Sequence, residues 1–522
     1  LPMGQRQEVH KMLRRRIVGL LPVFIVFFWL VMMGLLAQRS PLPGCRPEGA
    51  QMQRADGFPL VASDQWYGIY LPDNARVGFV NIAASPAMRN DEEGLHLRLS
   101  CQMVMIALGT TAEVTVLGSG WIAKERGLTE ADVRVRSKET EFRVDARTVG
   151  DVLQIRVHTA GETIPFQAPA RTIAGIWGGQ GVAGLDLPDL RTGQETTVEV
   201  YDPLSMSPAQ ARVACVGEET LAVSGKDTPT RVYAVTMNSM TTRAWMAFSE
   251  ESGRYDDVVQ FELPIGLRLK RVRPEEALQS PSPDEKHSLL HIAAIQSTGR
   301  IPFRDARRMM IRVIGIESGV QIEDDDTQQA QGEGVYVITR PDAPAAWAER
   351  PVHRSDVAEF LEGDALIQTG HPIIRSAADA IVEDELGLWP SAVLIHEWLW
   401  ANIRKENVLS IPSALEVLET RRGDCNEHTV LFTALARTLG IPTRIVLGLV
   451  WSEEYEKFYY HAWPEVYIEA PDGAARWIWM DPTLGQPVAD AARLKLVTGG
   501  IRKWFELLPF MGRLEIEVIE IE

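Results

Sequence analysis

Short stretches in which apolar residues alternate with polar or small ones dominate the chain between residues 66 and 279. Clear examples lie at 152–157, 196–200 and 231–235. Because successive side chains of a strand point to opposite faces, this period of two predicts strands with one buried face. Many such strands with few long helical periods predict a large antiparallel sheet. A second β segment is expected at 280–350.

A helical period replaces the alternation at 429–439. Leucines recur there every four residues, which predicts one apolar helix face. Gly440 and Pro442 supply a stop signal after it. At the other end Asp424 is suited to the N-cap position, and Glu427, three residues later, completes the spacing of a capping box. The helix is therefore predicted to begin immediately after Asp424.

This placement puts Cys425 in the first turn of the helix, where free N–H groups and the positive end of the helix dipole favour the thiolate. His461 lies downstream in a segment with strand-like alternation, and Asp481 closes the next such segment. The turn at 471–473 separates the two, so adjacent antiparallel strands would hold imidazole and carboxylate side by side. Such a set could attack an acyl carbon, move the proton and orient the imidazole.

A cysteine at a capped helix start is followed by a histidine in a strand, a turn and an Asp-Pro pair. In this order the chain resembles the transglutaminase-like superfamily of cysteine enzymes. The resemblance spans roughly residues 389–486 and includes the Gly-Ile-Pro-Thr-Arg run after the cysteine helix. It implies a C-terminal papain-like α+β domain with Cys425 as nucleophile, His461 as general base and Asp481 as orienting acid. Asn426 stands where transglutaminases proper often have an aromatic residue, so the resemblance favours a peptidase or amidase over protein crosslinking.

Further residues are expected near this site. Trp463 and Glu465 share the strand face of the candidate histidine, so Trp463 would wall the acyl site and Glu465 would support a polar network. His428, three residues past the cysteine, is given a structural or supporting role, and Asn426 is placed with it. His396, on the preceding predicted helix, is interpreted as a surface or packing histidine.

The N-terminal part carries an uninterrupted apolar run at 17–37. Its length suffices to cross a bilayer core of about 30 Å, and the basic residues before it place the N-terminus in the cytoplasm. An uncleaved signal anchor is favoured over a cleaved signal peptide, whose apolar core would be shorter. A lipid on Cys45 is a minor alternative. The predicted location is the inner membrane, with one crossing and the bulk of the chain periplasmic.

Charge and cysteine content narrow the partners. The net charge of −17, with no basic stripe outside the N-terminal part, argues against nucleic acid. Four cysteines in 522 residues do not form a disulfide framework, and Cys101 and Cys215 are interpreted as small core residues rather than a pair. No clustered spacing of cysteines and histidines suggests a metal, and no cofactor is expected. The acidic run 323–326 is interpreted as a solvated loop rather than a calcium site.

The sequence thus predicts an α+β chain of several parts. These are a cytoplasmic tail (1–16), a transmembrane helix (17–37), a linker (38–65), an antiparallel β-rich domain (66–279), a second β segment (280–350), a transglutaminase-like domain (375–500) and a C-terminal strand (501–522). The predicted function is a membrane-anchored, extracytoplasmic thiol enzyme, a peptidase, amidase or acyltransferase, acting on amide bonds of a peptide or protein substrate. One alternative is a non-catalytic envelope protein that holds a peptide or cell-wall polymer. Another makes the β-rich domain a carrier of lipid or peptide.

Overall fold

A computed structural model describes the main part of the chain. The residues described are 62–107, 110–124, 127–137, 140–150, 152–159, 162–169, 189–202, 207–237, 240–250, 253–263, 266–279, 294–316, 322–364, 366–406, 413–499, 510 and 514–522. They divide into two compact units, one within Val26–Ser288 and one within Leu289–Glu522.

A sheet of fourteen strands makes up the described part of the first unit. Its strands are β1 (Ser63–Tyr70), β2 (Arg76–Arg89), β3 (Glu92–Ala107), β4 (Thr110–Ala123), β5 (Gly127–Ser137), β6 (Thr140–Val149), β7 (Val152–Thr159), β8 (Glu162–Pro169), β9 (Glu195–Asp202), β10 (Ser207–Val223), β11 (Lys226–Met237), β12 (Met240–Ser249), β13 (Arg254–Glu262) and β14 (Arg268–Arg271). Their order is β8-β7-β6-β5-β4-β3-β2-β1-β14-β13-β12-β11-β10-β9, and neighbours are antiparallel. The chain thus begins mid-sheet, runs to one edge at β8 and returns from the other edge at β9. A short helix, α1 (Pro274–Ala277), follows.

Alternation of apolar and charged residues shapes this sheet. In β5, Val133 and Val135 are buried, whereas Asp132 and Arg134 remain partly or fully exposed. The charged side chains pair across strands, as Asp132 does with Arg143. Exposed ion pairs of this kind contribute roughly 0–1 kcal/mol each. Burial of the apolar face, at about 25 cal/mol per Å², is therefore the main stabilising contribution of these side chains.

Two sheets, a strand pair and a group of helices form the described part of the second unit. The five-stranded sheet has the order β15-β25-β16-β18-β17, with β15 (Gln296–Gly299), β16 (Arg308–Ile314), β17 (Gln328–Gly332), β18 (Val335–Thr339) and β25 (Glu515–Ile521). The four-stranded sheet has the order β23-β22-β21-β24, with β21 (Thr443–Ser452), β22 (Lys457–Glu469), β23 (Ala475–Trp479) and β24 (Arg493–Thr498). β19 (Arg404–Lys405) pairs with β20 (Arg422–Gly423). The helices are a 3-10 helix (Ser355–Leu361), α2 (Pro372–Val382), α3 (Leu388–Asn402), α4 (Ala414–Thr420) and α5 (Cys425–Thr438).

Helix α5 lies at the centre of this helical group. It contacts α2, α3 and α4 and also packs on β21 and β22. Because helices cover one side and the sheet the other, every side chain from Cys425 to Ala436 is buried. The polar side chains of its first turn are buried with the apolar ones and therefore need local partners.

The fold class predicted from the sequence is wrong. The described chain is β-rich rather than α+β, because strand alternation runs through both units and helices longer than one turn occur only between residues 355 and 438. Among the described residues, no helix has both the length and the apolar character needed to cross a membrane. The segment 17–37, the tail 1–16 and most of the linker 38–65 lie outside those residues. The predicted periplasmic location depends on that segment and stays a prediction.

Candidate active site

Helix α5 begins at Cys425, as the capping-box spacing predicts. Oδ1 of Asp424 accepts a hydrogen bond from the backbone N–H of Asn426 at 2.9 Å. Oε2 of Glu427 accepts one from the backbone N–H of Asp424 at 2.9 Å. Gly423 leaves room for this arrangement, because a Cβ there would lie 2.2 Å from Cβ of Glu427. The cap fixes the start of the helix and places the thiol in its first turn.

The thiol of Cys425 is buried, with 1% of the residue exposed. The backbone N–H of Ala462 is hydrogen-bonded to its sulfur. Burial raises the pKa of the Cys425 thiol well above its ordinary value, and the nearby carboxylate of Asp424 raises it further, whereas the Ala462 amide lowers it. Desolvation therefore outweighs the helix N-terminus. The expectation that the helix start favours the thiolate is wrong for this buried thiol.

His461 and Asp481 form a buried hydrogen-bonded pair. His461 lies in β22, directly before the residue that contacts the thiol, and its Nε2–H donates to Oδ2 of Asp481 at 2.8 Å. The exposed fractions of the two side chains are 1% and 0%. Oδ1 of Asp481 accepts backbone N–H groups of Thr483 at 3.1 Å and Leu484 at 2.9 Å. The structure thus brings thiol, imidazole and carboxylate together; their catalytic roles stay a prediction.

A buried arginine, which the sequence analysis did not single out, binds the same carboxylate. Nη1 of Arg493, the first residue of β24, donates to Oδ2 of Asp481 at 3.2 Å. Its other groups are held by Gln486 Oε1 at 2.6 Å and the Asp490 carbonyl at 2.9 Å. Burial alone would raise the pKa of Asp481, but the charge and hydrogen bond of His461, followed by the charge of Arg493, lower it. Asp481 is therefore held ionised and fixed in orientation.

Trp463 lies beside the imidazole, as its position in the strand predicts. Its ring is nearly parallel to that of His461, with the centroids 6.2 Å apart, and it is fully buried. Gly448 lies opposite His461 in β21 and leaves space for the Trp463 ring. A Cβ on Gly448 would lie 2.7 Å from that ring and 2.1 Å from the carbonyl oxygen of Leu494. Trp463 thus supports the imidazole by packing.

Glu465 belongs to a buried ion network in the same sheet. Nζ of Lys495 lies 2.6 Å from its Oε1, and Nε of Arg444 bonds to its Oε2. Lys495 also pairs with Asp325, which Arg444 approaches at 3.3 Å. Neither Glu465 nor Lys495 has an exposed side chain. The expected polar network around Glu465 therefore exists, and its partners are two cations and a second carboxylate.

The acidic run 323–326 is only partly the solvated loop that the sequence predicts: Asp324 and Asp326 are exposed, whereas Glu323 and Asp325 are half-buried. The charge of Lys495 and its hydrogen bond lower the pKa of Asp325 to about 2, although burial alone would raise it. Glu323 accepts the backbone N–H of Thr498 at 2.6 Å. These carboxylates face cations and amides of β24, which lies far away in sequence, so the local composition alone could not reveal the pairing.

Two further histidines lie close to the site. His428 donates from Nδ1 to the carbonyl of Asp424 at 2.6 Å, and burial lowers its pKa to about 4. Nε2 of His428 and Oδ1 of Asn426 have no hydrogen-bond partner among the described residues. His396 is buried rather than on the helix surface, and its Nε2–H donates to the backbone carbonyl of Asp481 at 3.1 Å. His396 therefore helps to position the turn that carries the carboxylate.

The described residues contain no group of three or more histidine, cysteine, aspartate or glutamate side chains placed to hold a metal ion. Cys101 and Cys215, in the fourteen-stranded sheet, are buried free thiols, in line with their interpretation as small core residues. Burial raises the pKa of Cys101 to about 12.

One signal could have revealed the cations that were missed. Strand β24 reads Arg-Leu-Lys-Leu-Val, in which two cations alternate with leucines. Such alternation usually marks a half-exposed strand. Here both strand faces are covered, so Arg493 and Lys495 are buried and must pair with carboxylates.

Comparison with known proteins finds a family match over the part of the chain that carries Cys425, His461 and Asp481. Residues 375–482 match the family model of the transglutaminase-like superfamily, so the chain contains a transglutaminase-like domain. Over 99 residues, 18% of this chain and 27% of the relative, it is 33% identical to an uncharacterized protein of Haemophilus influenzae. The chain therefore matches about a quarter of that relative's length.

Two solved structures show weak likeness. One, from Cytophaga hutchinsonii and proposed to be a cysteine protease, has a TM-score of 0.27 and 16% identity, with 42% of this chain and 85% of that chain covered. The other, from Parabacteroides distasonis and proposed to be a protease, has a TM-score of 0.18 and 9% identity, with 65% and 63% covered. Similarity of this degree indicates nothing about activity.

Proposed function

We propose that the protein is a thiol enzyme that acts on amide bonds through a thioester on Cys425, as a peptidase, amidase or acyltransferase. The observation that carries the proposal is the buried pair of His461 Nε2 and Asp481 Oδ2 at 2.8 Å, on the strand whose next residue bonds to the thiol. Burying a histidine and a carboxylate costs desolvation free energy, and apolar side chains would fill the same space without that cost. The orientation of the pair leaves Nδ1 of the imidazole for proton transfer.

In the first half-reaction the sulfur of Cys425 attacks the carbonyl carbon while its proton passes to His461. The imidazolium formed is stabilised by the ionised Asp481. His461 then gives the proton to the departing nitrogen, the C–N bond breaks, and an amine leaves with a thioester in place. Because the thiol pKa is raised, proton transfer to the imidazole accompanies the attack rather than preceding it.

In the second half-reaction an acceptor, water or an amine, attacks the thioester carbon and gives its proton to His461. The C–S bond breaks, the sulfur recovers that proton, and an acid or a new amide leaves. The backbone N–H of Cys425, free at the helix start, is the proposed donor to the oxyanion in both halves. Hydrolysis is preferred over crosslinking because Asn426 replaces the aromatic residue of transglutaminases proper.

The raised pKa and 1% exposure of Cys425 favour the second candidate function, a module that holds a peptide or cell-wall polymer without catalysis. The two candidates differ in what His461 does to the thiol. A base speeds the reaction of the thiol with an electrophile, whereas a structural histidine does not.

Labelling with iodoacetamide and mass mapping separates them. We expect His461→Ala to slow labelling of Cys425 by about tenfold or more, since general-base assistance contributes about 10²–10⁴-fold. Cys101 and Cys215 in the same protein are internal controls, whose rates should be equal in both variants. Equal labelling of Cys425 in wild type and His461→Ala would remove the proposed Cys–His pair.

The acceptor of the acyl group, water or an amine, is identified from the mass of the peptide products. The wild-type chain is incubated with a peptide mixture in the presence and absence of a primary amine, and Cys425→Ala serves as the blank. A hydrolase gives shortened or deamidated peptides whatever the amine concentration. An acyltransferase gives peptides whose mass grows by that of the amine, and no product over the blank contradicts the enzymatic proposal.

A further inference from the structure

A lysine outside the Cys–His–Asp set lies on a short strand beside the start of the helix that carries the candidate thiol. Lys405 is the second residue of β19, and β19 pairs in parallel register with β20, so that Lys405 is opposite Gly423. The backbone N–H of Glu406 donates to the Gly423 carbonyl at 3.0 Å, which continues the pairing. Since Gly423 is two residues before Cys425, this short strand runs alongside the start of the catalytic helix.

The side chain of Lys405 reaches towards the turn that carries Asp481. Its Nζ lies 3.1 Å from the ring centroid of Trp400, in the last turn of α3. That indole packs on Gly485, where a Cβ would lie 2.9 Å from it. Gly485 is part of the turn 481–486. Lys405 and Trp400 thus span the space between the thiol-bearing helix and the carboxylate-bearing turn.

A second cation lies at the same turn. Nη2 of Arg304 donates to the carbonyl of Leu484 at 3.1 Å. Neither Arg304 nor Lys405 has a carboxylate within ion-pair distance among the described residues, unlike Arg493, which is bonded to Asp481. Arg304 and Lys405 thus place two positive charges, without a carboxylate partner in the described part of the chain, beside one turn of a protein whose net charge is −17. Arg304 is exposed to solvent whereas Lys405 is half-buried, so an anion beside Lys405 would stabilise its ammonium form.

We propose that Lys405, with Arg304, binds a carboxylate of the peptide substrate beside the thiol of Cys425. This inference rests on the proposed function and names its substrate class: peptides that carry a carboxylate close to the reacting amide. The carboxylate belongs either to an acidic side chain or to the C-terminus of the peptide. Trp400 supplies the apolar wall that keeps the lysine stem in place.

The protonation of Lys405 supports this assignment. Burial lowers its pKa to about 7, with the nearby charge of Arg304 acting in the same direction and that of Asp481 opposing it. The imidazoles of His396 and His428 are the other titratable groups near it. An anion would stabilise the ammonium form, so a carboxylate should bind more tightly at pH 6 than at pH 8.

The test measures binding in Cys425→Ala, which cannot turn substrate over. The probes are blocked pentapeptides of alanine with glutamate or glutamine in the centre, and pentaalanine with a free or an amidated C-terminus. We expect about tenfold tighter binding of one carboxylate form than of its neutral twin, and the twin pair that shows it identifies the carboxylate. Lys405→Met should abolish the difference, and Lys405→Arg should retain it.

Lys270, which lies 5.0 Å above the ring of Tyr70 in the fourteen-stranded sheet, is the matched control, and Lys270→Met should leave the preference unchanged. If Lys405→Met does not fold, the preference for the carboxylate peptide is measured in Lys405→Gln instead. The pH dependence of that preference in Cys425→Ala gives a second measurement. Equal or undetectable binding of acidic and neutral peptides would overturn the inference. Carboxylate binding without turnover by the wild type would contradict the proposed function alone, and turnover without carboxylate preference would contradict this inference alone.

Discussion

The fourteen-stranded sheet and the second unit differ in which polar groups they bury. Among the described residues, the buried polar side chains of the sheet are uncharged: Thr129, Ser137, Thr230, Thr242 and Gln260. Its ion pairs lie at the surface, as between Arg156 and Asp145 at 2.7 Å. The second unit buries ionisable side chains: His396, Asp424, Glu427, His428, His461, Glu465, Asp481, Asp490, Arg493 and Lys495.

This difference shows where the molecule tolerates an energetic cost. Removing an ion from water costs several kcal/mol even after relaxation, and apolar replacements of buried pairs are often as stable. A fold that needed only stability could follow the sheet, with uncharged interiors and charged surfaces. Most of the buried ionisable groups of the second unit lie around one helix start and one turn. We propose that they fix the geometry of the reacting groups there.

The largest expected effect compares cysteines of the two units. Cys425→Ala should abolish amide turnover, a loss of about 10³-fold or more, because the nucleophile is removed. Cys101→Ala, in the sheet, should leave turnover unchanged and affect only stability. The measurement is product formation by mass spectrometry at equal folded protein. Comparable losses in both variants would show that the activity does not depend on the proposed site.

The next prediction compares cations. Lys495→Met should destabilise the second unit by about 3 kcal/mol, because Asp325 and the fully buried Glu465 then share only Arg444 as a cationic partner. Arg156→Met, whose side chain is 59% exposed, should cost roughly 0–1 kcal/mol. Urea unfolding monitored by tryptophan fluorescence gives both values. Similar costs would contradict the contrast between buried and surface charge.

Two glycines provide a steric comparison. Gly448→Ala should cost about 1–3 kcal/mol, since its Cβ would meet the Leu494 carbonyl oxygen at 2.1 Å and the Trp463 ring at 2.7 Å. Gly217→Ala in the sheet should change the free energy of unfolding by less than about 0.5 kcal/mol, since nothing lies within 4 Å of its Cβ. Gly448→Ala should also lower activity by displacing Trp463. An unchanged melting temperature in Gly448→Ala would refute the close packing.

The smallest expected effect is the loss of stability of the second unit at low pH. The pKa of Asp325 is about 2 in the folded chain and about 4 when unfolded, so its contribution of about 2 kcal/mol is complete above pH 4. That contribution is lost as the pH falls from about 4 to 2. Asp325→Asn should flatten the pH dependence of unfolding in this window. Identical slopes for wild type and Asp325→Asn would contradict the pairing with Lys495.

Local signals in the sequence predicted much of the site. The spacing of Asp424 and Glu427 predicted the start of α5. Alternation with a turn at 471–473 predicted two adjacent strands, one that carries His461 and one that ends just before Asp481. These features depend on contacts close in sequence. Their chemical roles remain predictions.

The features of the site that the sequence did not predict depend on contacts between residues far apart in the chain. Arg493 and Lys495 look like surface residues in sequence, and only the covering of both faces of β24 shows that they are buried. Lys405 meets the site through a pairing between β19 and β20 that no periodicity reveals. The burial of Cys425, which reverses the expected direction of its pKa, likewise follows from the packing of α5 between helices and sheet.

Strand β25 has a consequence for biosynthesis. It lies between β15, which it joins in parallel, and β16, which it joins in antiparallel. These two strands are made early in the unit, whereas their common neighbour is made last. Their facing edges stay unpaired until nearly the whole unit has left the ribosome, and exposed edges invite wrong pairing. Helix α5 is synthesised within that interval, so the unit is expected to need protection by chaperones until β25 has been made.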